Sequence, residues 1–106
     1  MDTRTGFYAP AAPLAPTVPL GLAVPGLPVG AKAVILTVTG TRPEAATYLT
    51  AYPGGTTAPT ASNLNLRAGA TVSNQAVVPL GSGSVDVVSG QANLDVLLDV
   101  QGYYAP

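Results

Sequence analysis

Apolar and polar residues alternate along most of this chain, in short runs that turn-forming residues separate. The clearest run is Lys32–Thr39, in which Val34, Leu36 and Val38 share one face. A period of two residues is typical of a β-strand, because successive side chains point to opposite faces of a sheet. The other face of this run is also rather apolar, so we expect a central strand.

Six further segments show strand patterns, and together they define the fold class. They cover residues 18–24, 47–52, 62–66, 72–78, 85–89 and 93–100. Twelve Gly and eleven Pro separate them, with turns predicted at Pro25-Gly26, Pro53-Gly54-Gly55 and Gly81–Ser84. Seven or eight short strands spaced in this way predict an all-β protein, an antiparallel β-sandwich of jelly-roll type, in a single domain over residues 1–106.

Proline placement predicts what lies at the sheet edges. The prolines near and inside segment 18–24 indicate an edge strand, since proline has no N–H to donate to a neighbouring strand. Residues 1–16 form an extended Pro/Ala-rich segment, which we expect to be coil or to lie at an edge.

Composition limits the chemistry of the protein. Hydrophobic residues make up 47% of the chain and charged residues 8%, and there is neither Cys nor His. Thiolate nucleophiles, Cys/His zinc sites and imidazole bases are therefore excluded. Asp95 and Asp99 share a strand face, but about 13 Å of strand separates them at ~3.3 Å per residue, which is too far for the carboxylate pair of a retaining glycosidase. We expect no enzyme activity, no cofactor and no metal site.

The charge pattern also limits the partners. Four basic and five acidic residues are scattered, for a net charge of −1, so no basic stripe exists to bind nucleic acid. The apolar segment 9–29 contains six prolines and lacks the basic start of a signal peptide, and no run is long enough to span a bilayer. We expect no nucleic-acid partner, no membrane insertion and no export signal in this chain.

Seven segments of the chain form a pattern in a fixed order: Asp2–Gly6, Ala33–Val38, Tyr48–Pro53, Pro59–Asn65, Gly69–Asn74, Val77–Gly81 and Leu97–Tyr104. Taken together, they resemble an accessory domain that is common in secreted actinobacterial proteins. That domain is typically repeated, or appended to amidases, peptidases and glycan-degrading enzymes. The resemblance spans nearly the whole chain and implies an extracellular or cell-surface, all-β, non-catalytic module.

The chain departs from this family pattern at one disulfide. Many members carry a Cys in the turn after the Tyr48–Pro53 strand and a second Cys near the strand around Val85. Here the first position is Gly54, and the second strand has no Cys. We therefore expect packing, or association with another copy, to replace a bridge that typically contributes about 2–4 kcal/mol.

Three charged residues, Asp2, Arg4 and Asp99, lie at opposite ends of the family motif. Charges in an apolar sandwich are normally paired, so we expect Arg4 to bind a carboxylate, foremost that of Asp99, and to tie the N-terminal segment to the last strand. The alternative is a ligand or cation site built on the two carboxylates. Calcium is disfavoured because the chain has no dense acidic loop.

Tyrosine and asparagine supply the candidate surface residues. Tyr48 and Tyr52 lie on one side of their strand and form a shallow platform if that side faces solvent; otherwise they belong to a second core layer or act as a tyrosine latch. Asparagine side chains bind sugar hydroxyls or satisfy loop backbone, and we favour the second role for Asn63, Asn65 and Asn74. The candidate glycan or interface surface consists of Tyr48, Tyr52, Asn63, Asn65, Tyr103 and Tyr104, with Tyr8 as a further tyrosine.

Two functions remain open. The first is a non-catalytic extracellular assembly module that associates with itself, as a homo-oligomer or fibre, or with neighbouring domains. Low charge, a mean hydropathy of +0.37, the missing disulfide and an N-terminal segment free to join a neighbour's sheet favour this interpretation. The alternative is an accessory module of a secreted enzyme that binds cell-wall polysaccharide.

Overall fold

The computed structural model describes residues 1–24, 26–80 and 83–105. Parts of the predicted turns Pro25-Gly26 and Gly81–Ser84 lie outside the described residues. The described part of the chain forms strands and no helix. The strands are β1 (Leu20–Ala23), β2 (Ala33–Thr41), β3 (Thr47–Pro53), β4 (Leu64–Leu66), β5 (Thr71–Pro79), β6 (Ser84–Ser89) and β7 (Asp95–Tyr104).

These strands form two antiparallel sheets packed face to face. One sheet has the order β1-β6-β3-β4, and the other has the order β5-β2-β7. The predicted all-β sandwich is confirmed, and β1 is an edge strand as its flanking prolines predict. The jelly-roll type stays a prediction.

The strand β2 lies in the centre of the three-stranded sheet, as predicted. It pairs with β5 on one side and with β7 on the other over its whole length, from Ala33 to Thr41. Val34, Leu36 and Val38 point into the space between the sheets and are fully buried. The alternation of side chains along β2 therefore indicates correctly which of them are buried.

A bulge extends β7 beyond its predicted end. Leu36 lies opposite Val100, but Ile35 lies opposite Gly102, so Gln101 is the extra residue on β7. A bulge of this kind leaves one residue unpaired and shifts the alternation by one residue, while pairing resumes on its far side. The prediction that the strand stops at Val100 was wrong, because a change of phase in the pattern looks like the end of a strand.

Leucine and valine side chains from both sheets make the core. Nearly all of them lie at alternating strand positions, so each sheet contributes one apolar face. The fully buried large side chains are Leu36, Leu49, Leu94, Leu98, Val34, Val38, Val78, Val85, Val87 and Val96.

One buried polar network closes an end of the four-stranded sheet. The hydroxyls of Thr47 and Ser89 are hydrogen-bonded at 2.8 Å, and Ser89 donates to the Ala92 carbonyl at 2.7 Å. The backbone amides of Gln91 and Ala92 donate to the Thr47 hydroxyl at 3.0 and 3.3 Å. Because every member has a partner, the network holds the turn after β6 against the start of β3.

The turn after β3 and the start of β6 touch by close packing. The Gly54 amide donates to the Ser84 carbonyl at 2.9 Å. A Cβ on Gly54 would overlap the Ser84 side chain, so only glycine fits there without a shift. Within one chain, this close approach holds the turn after β3 against the start of β6.

The N-terminal arm, defined as residues 1–16, runs along the outer edge of β7 and then crosses to β6. Met1–Thr3 pairs antiparallel with Val96–Leu98 through backbone hydrogen bonds of 3.1 and 2.9 Å. Leu14 exchanges both backbone hydrogen bonds with Leu94, at 2.8 and 3.3 Å. The Thr17 amide then donates at 2.7 Å to the carbonyl of the last residue of β6.

This pairing confirms that residues 1–16 are an edge segment, and it corrects one expectation drawn from them. We expected the arm to be free to join a neighbour's sheet. Within a single chain the arm is instead paired with β7, because Leu14 and Thr3 are both buried there. A pattern of prolines and alanines indicates an extended segment but does not indicate where it docks.

Candidate functional site

The predicted ion pair of Arg4 forms, but with a different carboxylate. The Arg4 guanidinium binds Asp2 through Nε at 3.1 Å and Nη2 at 3.0 Å, and the Arg4 amide donates to the same side chain at 2.9 Å. The hydrogen bond from Arg4 lowers the pKa of Asp2. The predicted Arg4–Asp99 contact was wrong, because the tight turn from Asp2 to Gly6, closed by the Gly6 amide on the Asp2 carbonyl at 3.0 Å, places Arg4 beside the Asp2 carboxylate.

The link between arm and β7 runs through Thr3, Asp95 and Arg42, a set that the sequence pattern did not predict. Thr3 is buried, and its hydroxyl donates to Asp95 at 3.0 Å and accepts from the Val96 amide at 2.9 Å. Arg42 binds the other oxygen of Asp95 at 3.1 Å. Only the register of β7 against β2 could reveal this pair, because Thr41, next to Arg42, lies opposite Asp95.

The outer face of the four-stranded sheet carries a groove of about 380 Å³ beside Tyr48. Tyr48, Thr50 and Tyr52 line it from β3, and residues 56–59 form part of its wall. The Tyr48 ring is 39% exposed and lies over Gly90, where a Cβ would overlap it. Tyr48 therefore has a structural role and also presents part of its ring to solvent.

Tyr52 does not belong to an exposed platform. It is 3% exposed at the base of the groove. Burial raises the pKa of Tyr52, and the nearby Asp86 carboxylate adds to the effect. Tyr48 is therefore partly exposed, as the predicted platform requires, whereas Tyr52 belongs to a buried layer.

The asparagines mostly satisfy backbone groups. Asn63 accepts from the Ala51 amide at 2.7 Å through Oδ1, and Asn74 donates through Nδ2 to the Asn63 carbonyl at 3.2 Å. This second bond joins the two sheets, since Asn74 lies on β5 and Asn63 precedes β4. Asn65 is exposed and accepts a long hydrogen bond, 3.4 Å, from Ser62. Asn65 and Asn74 are thus both exposed, whereas Asn63 is partly buried.

Tyr104 belongs to an exposed apolar area on the outer face of the three-stranded sheet. Strand register places Pro79, Ala33 and Tyr104 in one row. Val77 and Ile35 lie in the next row, beside Gly102. We call the five side chains Ala33, Ile35, Val77, Pro79 and Tyr104 the apolar patch; Val77 is 56% exposed and Tyr104 is 53% exposed.

Tyr103 and the aromatic pair of the arm lie at a different surface. Tyr103 is 48% exposed opposite Val34. The rings of Phe7 and Tyr8 meet edge to face, with centroids 4.6 Å apart, and both are about 60% exposed. The Phe7 and Tyr8 rings, together with Val100, line part of a small cleft at the edge of the sandwich. The sequence analysis named Tyr8 but missed its contact with Phe7.

The described residues contain neither a metal-binding cluster nor a membrane-spanning helix. Among residues 1–24, 26–80 and 83–105, no group of three or more acidic side chains is placed to hold a metal ion. In that same part of the chain, no helix is long and apolar enough to cross a membrane.

Comparison with known proteins adds no assignment. No family model, no curated protein and no solved structure matches this chain. Any assignment of function therefore depends on the geometry of the surfaces described above.

Proposed function

We propose that the protein is a non-catalytic structural module of the cell exterior that assembles with copies of itself. The observation that carries this proposal is the apolar patch on the outer face of the three-stranded sheet. Its five side chains lie in two adjacent rows across all three strands, and no charged residue interrupts them. Contiguous apolar surface of this kind is typical of a protein–protein contact.

The surroundings of the patch favour a second copy as the partner. The protein has a net charge of −1 and 8% charged residues, so two copies repel each other only weakly. The next row outward is Gln75, Thr37 and Asp99, which provides a polar rim. Apolar centres with polar rims are the usual anatomy of such interfaces.

The patch alone predicts weak association. Stable interfaces bury about 800 Å² on each partner, which is more than two rows across three strands can provide. We therefore expect self-association that depends strongly on concentration, unless a second contact adds to the patch.

The substitution Val77→Lys tests this proposal. It places a charge in the centre of the patch on an exposed strand position, so the fold should persist while association is lost. Light scattering over a concentration series measures the mass, and circular dichroism checks the fold. Gln75→Lys is the matched control, because it adds the same charge to the same strand face one row away. A wild-type protein that stays monomeric at millimolar concentration would contradict the proposal.

Carbohydrate binding is the second candidate, and the groove beside Tyr48 favours it. A half-exposed aromatic ring beside threonine side chains is a surface on which a neutral sugar can stack and form hydrogen bonds. The test is retention on peptidoglycan and on chitin in affinity electrophoresis. We expect Tyr48→Ala to abolish retention and Tyr104→Ala, far from the groove on the other sheet, to leave it unchanged. Equal retention of both variants would exclude this groove.

A further inference from the structure

The arm is joined to the sandwich through a strained hinge. The hinge, defined as Thr17–Pro19, connects the arm to β1. Thr17 has φ +64°, a left-handed conformation that costs a β-branched residue appreciable free energy. In the flanking backbone, Pro16 and Pro19 favour extended conformations for themselves and for the residues before them. The hinge therefore bends against its own conformational preference.

The arm itself is held by contacts that any copy of the chain can supply. It pairs with β7 at Met1–Thr3, with Leu94 at Leu14 and with Ser89 of β6 at Pro16, and the stretch Pro10–Pro13 is exposed. The groups that receive it, on β7 and at Leu94, belong to the body of the sandwich and not to the arm. A second copy offers the same edge of β7 with the same register.

From these two observations we propose that the arm exchanges between two copies of the chain. In the exchanged dimer the hinge is extended, and each arm pairs with β7 of the other copy through the contacts that it makes in the closed monomer. Exchange of an identical element leaves those contacts unchanged and relieves hinge strain, which is the condition that favours domain swapping. The inference rests on the proposed self-association, and it supplies the second contact that the apolar patch requires.

A disulfide placed between arm and β7 distinguishes the two arrangements. Asp2 lies opposite Leu97, flanked by the hydrogen bonds of Thr3 and Leu98. It is therefore a non-hydrogen-bonded antiparallel pair, whose Cα atoms are about 4.5 Å apart, within the range that a disulfide spans. Because the chain has no cysteine, a bond in the double variant Asp2→Cys/Leu97→Cys is unambiguous.

The experiment oxidises separated monomer and dimer fractions of this double variant and runs each on a denaturing, non-reducing gel. We expect the dimer fraction to give a covalent dimer and the monomer fraction to give a covalently closed monomer. A dimer fraction that yields only single-chain bands would overturn arm exchange but leave association through the patch intact. If no dimer fraction forms at any concentration, the proposed self-association fails, and arm exchange fails with it.

Hinge strain has its own test. Thr17→Gly removes the cost of the left-handed conformation from the closed monomer, so the exchanged dimer loses its advantage. The lower value for the cost of a left-handed residue corresponds to a change of about fivefold in the equilibrium constant for each hinge. Because the dimer contains two hinges, we expect the dimer dissociation constant to rise by roughly 25-fold. Thr5→Gly is the matched control, because Thr5 is an exposed arm residue outside the hinge. Equal dissociation constants for the two variants would overturn the role of hinge strain.

Discussion

Strand β2 and the N-terminal arm lie on opposite sides of β7, and they are held to it in different ways. On one side, β2 pairs with β7 along its whole length and buries Val34, Leu36 and Val38. On the other side, the arm pairs at Met1–Thr3 and again at Leu14, with exposed residues between.

Because of this difference, the β2 side of β7 contributes to the stability of the core, whereas the arm on its other side can detach and exchange. A continuous ladder above a buried face can open only when the core opens, because its register is coupled to the alternation of buried side chains. An edge segment held at isolated points can detach while the rest of the sandwich stays folded. One strand therefore serves as part of the core on one side and as a docking edge on the other.

The largest expected effect comes from the β2 side. Leu36→Ala removes a fully buried side chain, and we expect the free energy of unfolding to fall by about 2–5 kcal/mol. Denaturant unfolding followed by circular dichroism measures it. Thr37→Ala, at the next position on the outer face, should cost far less; equal costs would contradict the assignment of the two faces.

The polar network between the turn after β6 and the start of β3 should show an intermediate effect. Thr47→Val keeps the volume but leaves the amides of Gln91 and Ala92 without their acceptor. Each buried unsatisfied group costs about 1–3 kcal/mol, so we expect a loss of at least about 1 kcal/mol in thermal or denaturant unfolding. Thr60→Val, at an exposed loop position, serves as the control.

A smaller and local effect is expected on the arm side. Thr3→Val removes the hydroxyl that accepts from the Val96 amide and binds Asp95, at a net cost of about 1 kcal/mol. We expect hydrogen exchange to speed up at Val96 and Leu98 and to stay slow at the β2 amides. Uniform acceleration at all these amides would show that the arm and the core open together, and the comparison would fail.

The smallest effect concerns the pH dependence of the turn inside the arm. The hydrogen bond from Arg4 lowers the pKa of Asp2 below its ordinary value of 3.8. Stability from this pair is therefore present above about pH 3.8 and is lost as the pH falls through the lowered pKa of Asp2. Carboxyl NMR titration should show this lowered pKa, and Arg4→Gln should return it toward the ordinary value. An unchanged titration in Arg4→Gln would contradict the pairing.

The candidate surfaces were predictable in part. Tyr48 and Tyr52 were placed on one strand face correctly, yet the groove wall buries one and leaves the other half exposed. Alternation assigns a side chain to a face, but the loop that covers that face comes from residues 56–59, after the strand. The exposure of each ring thus depends on its contact with this loop, which the strand pattern does not predict.

By itself the sequence determined the local features of this protein: strand identity, the two faces of β2, its central place and the edge place of β1. These follow from side-chain period and from proline chemistry, which act over a few residues. Only the tertiary structure decided that Asp95 joins Thr3 to Arg42, that Gln101 bulges and that the arm docks on β7. Those outcomes depend on which distant strands become neighbours, and strand neighbours are chosen by burying all apolar faces at once.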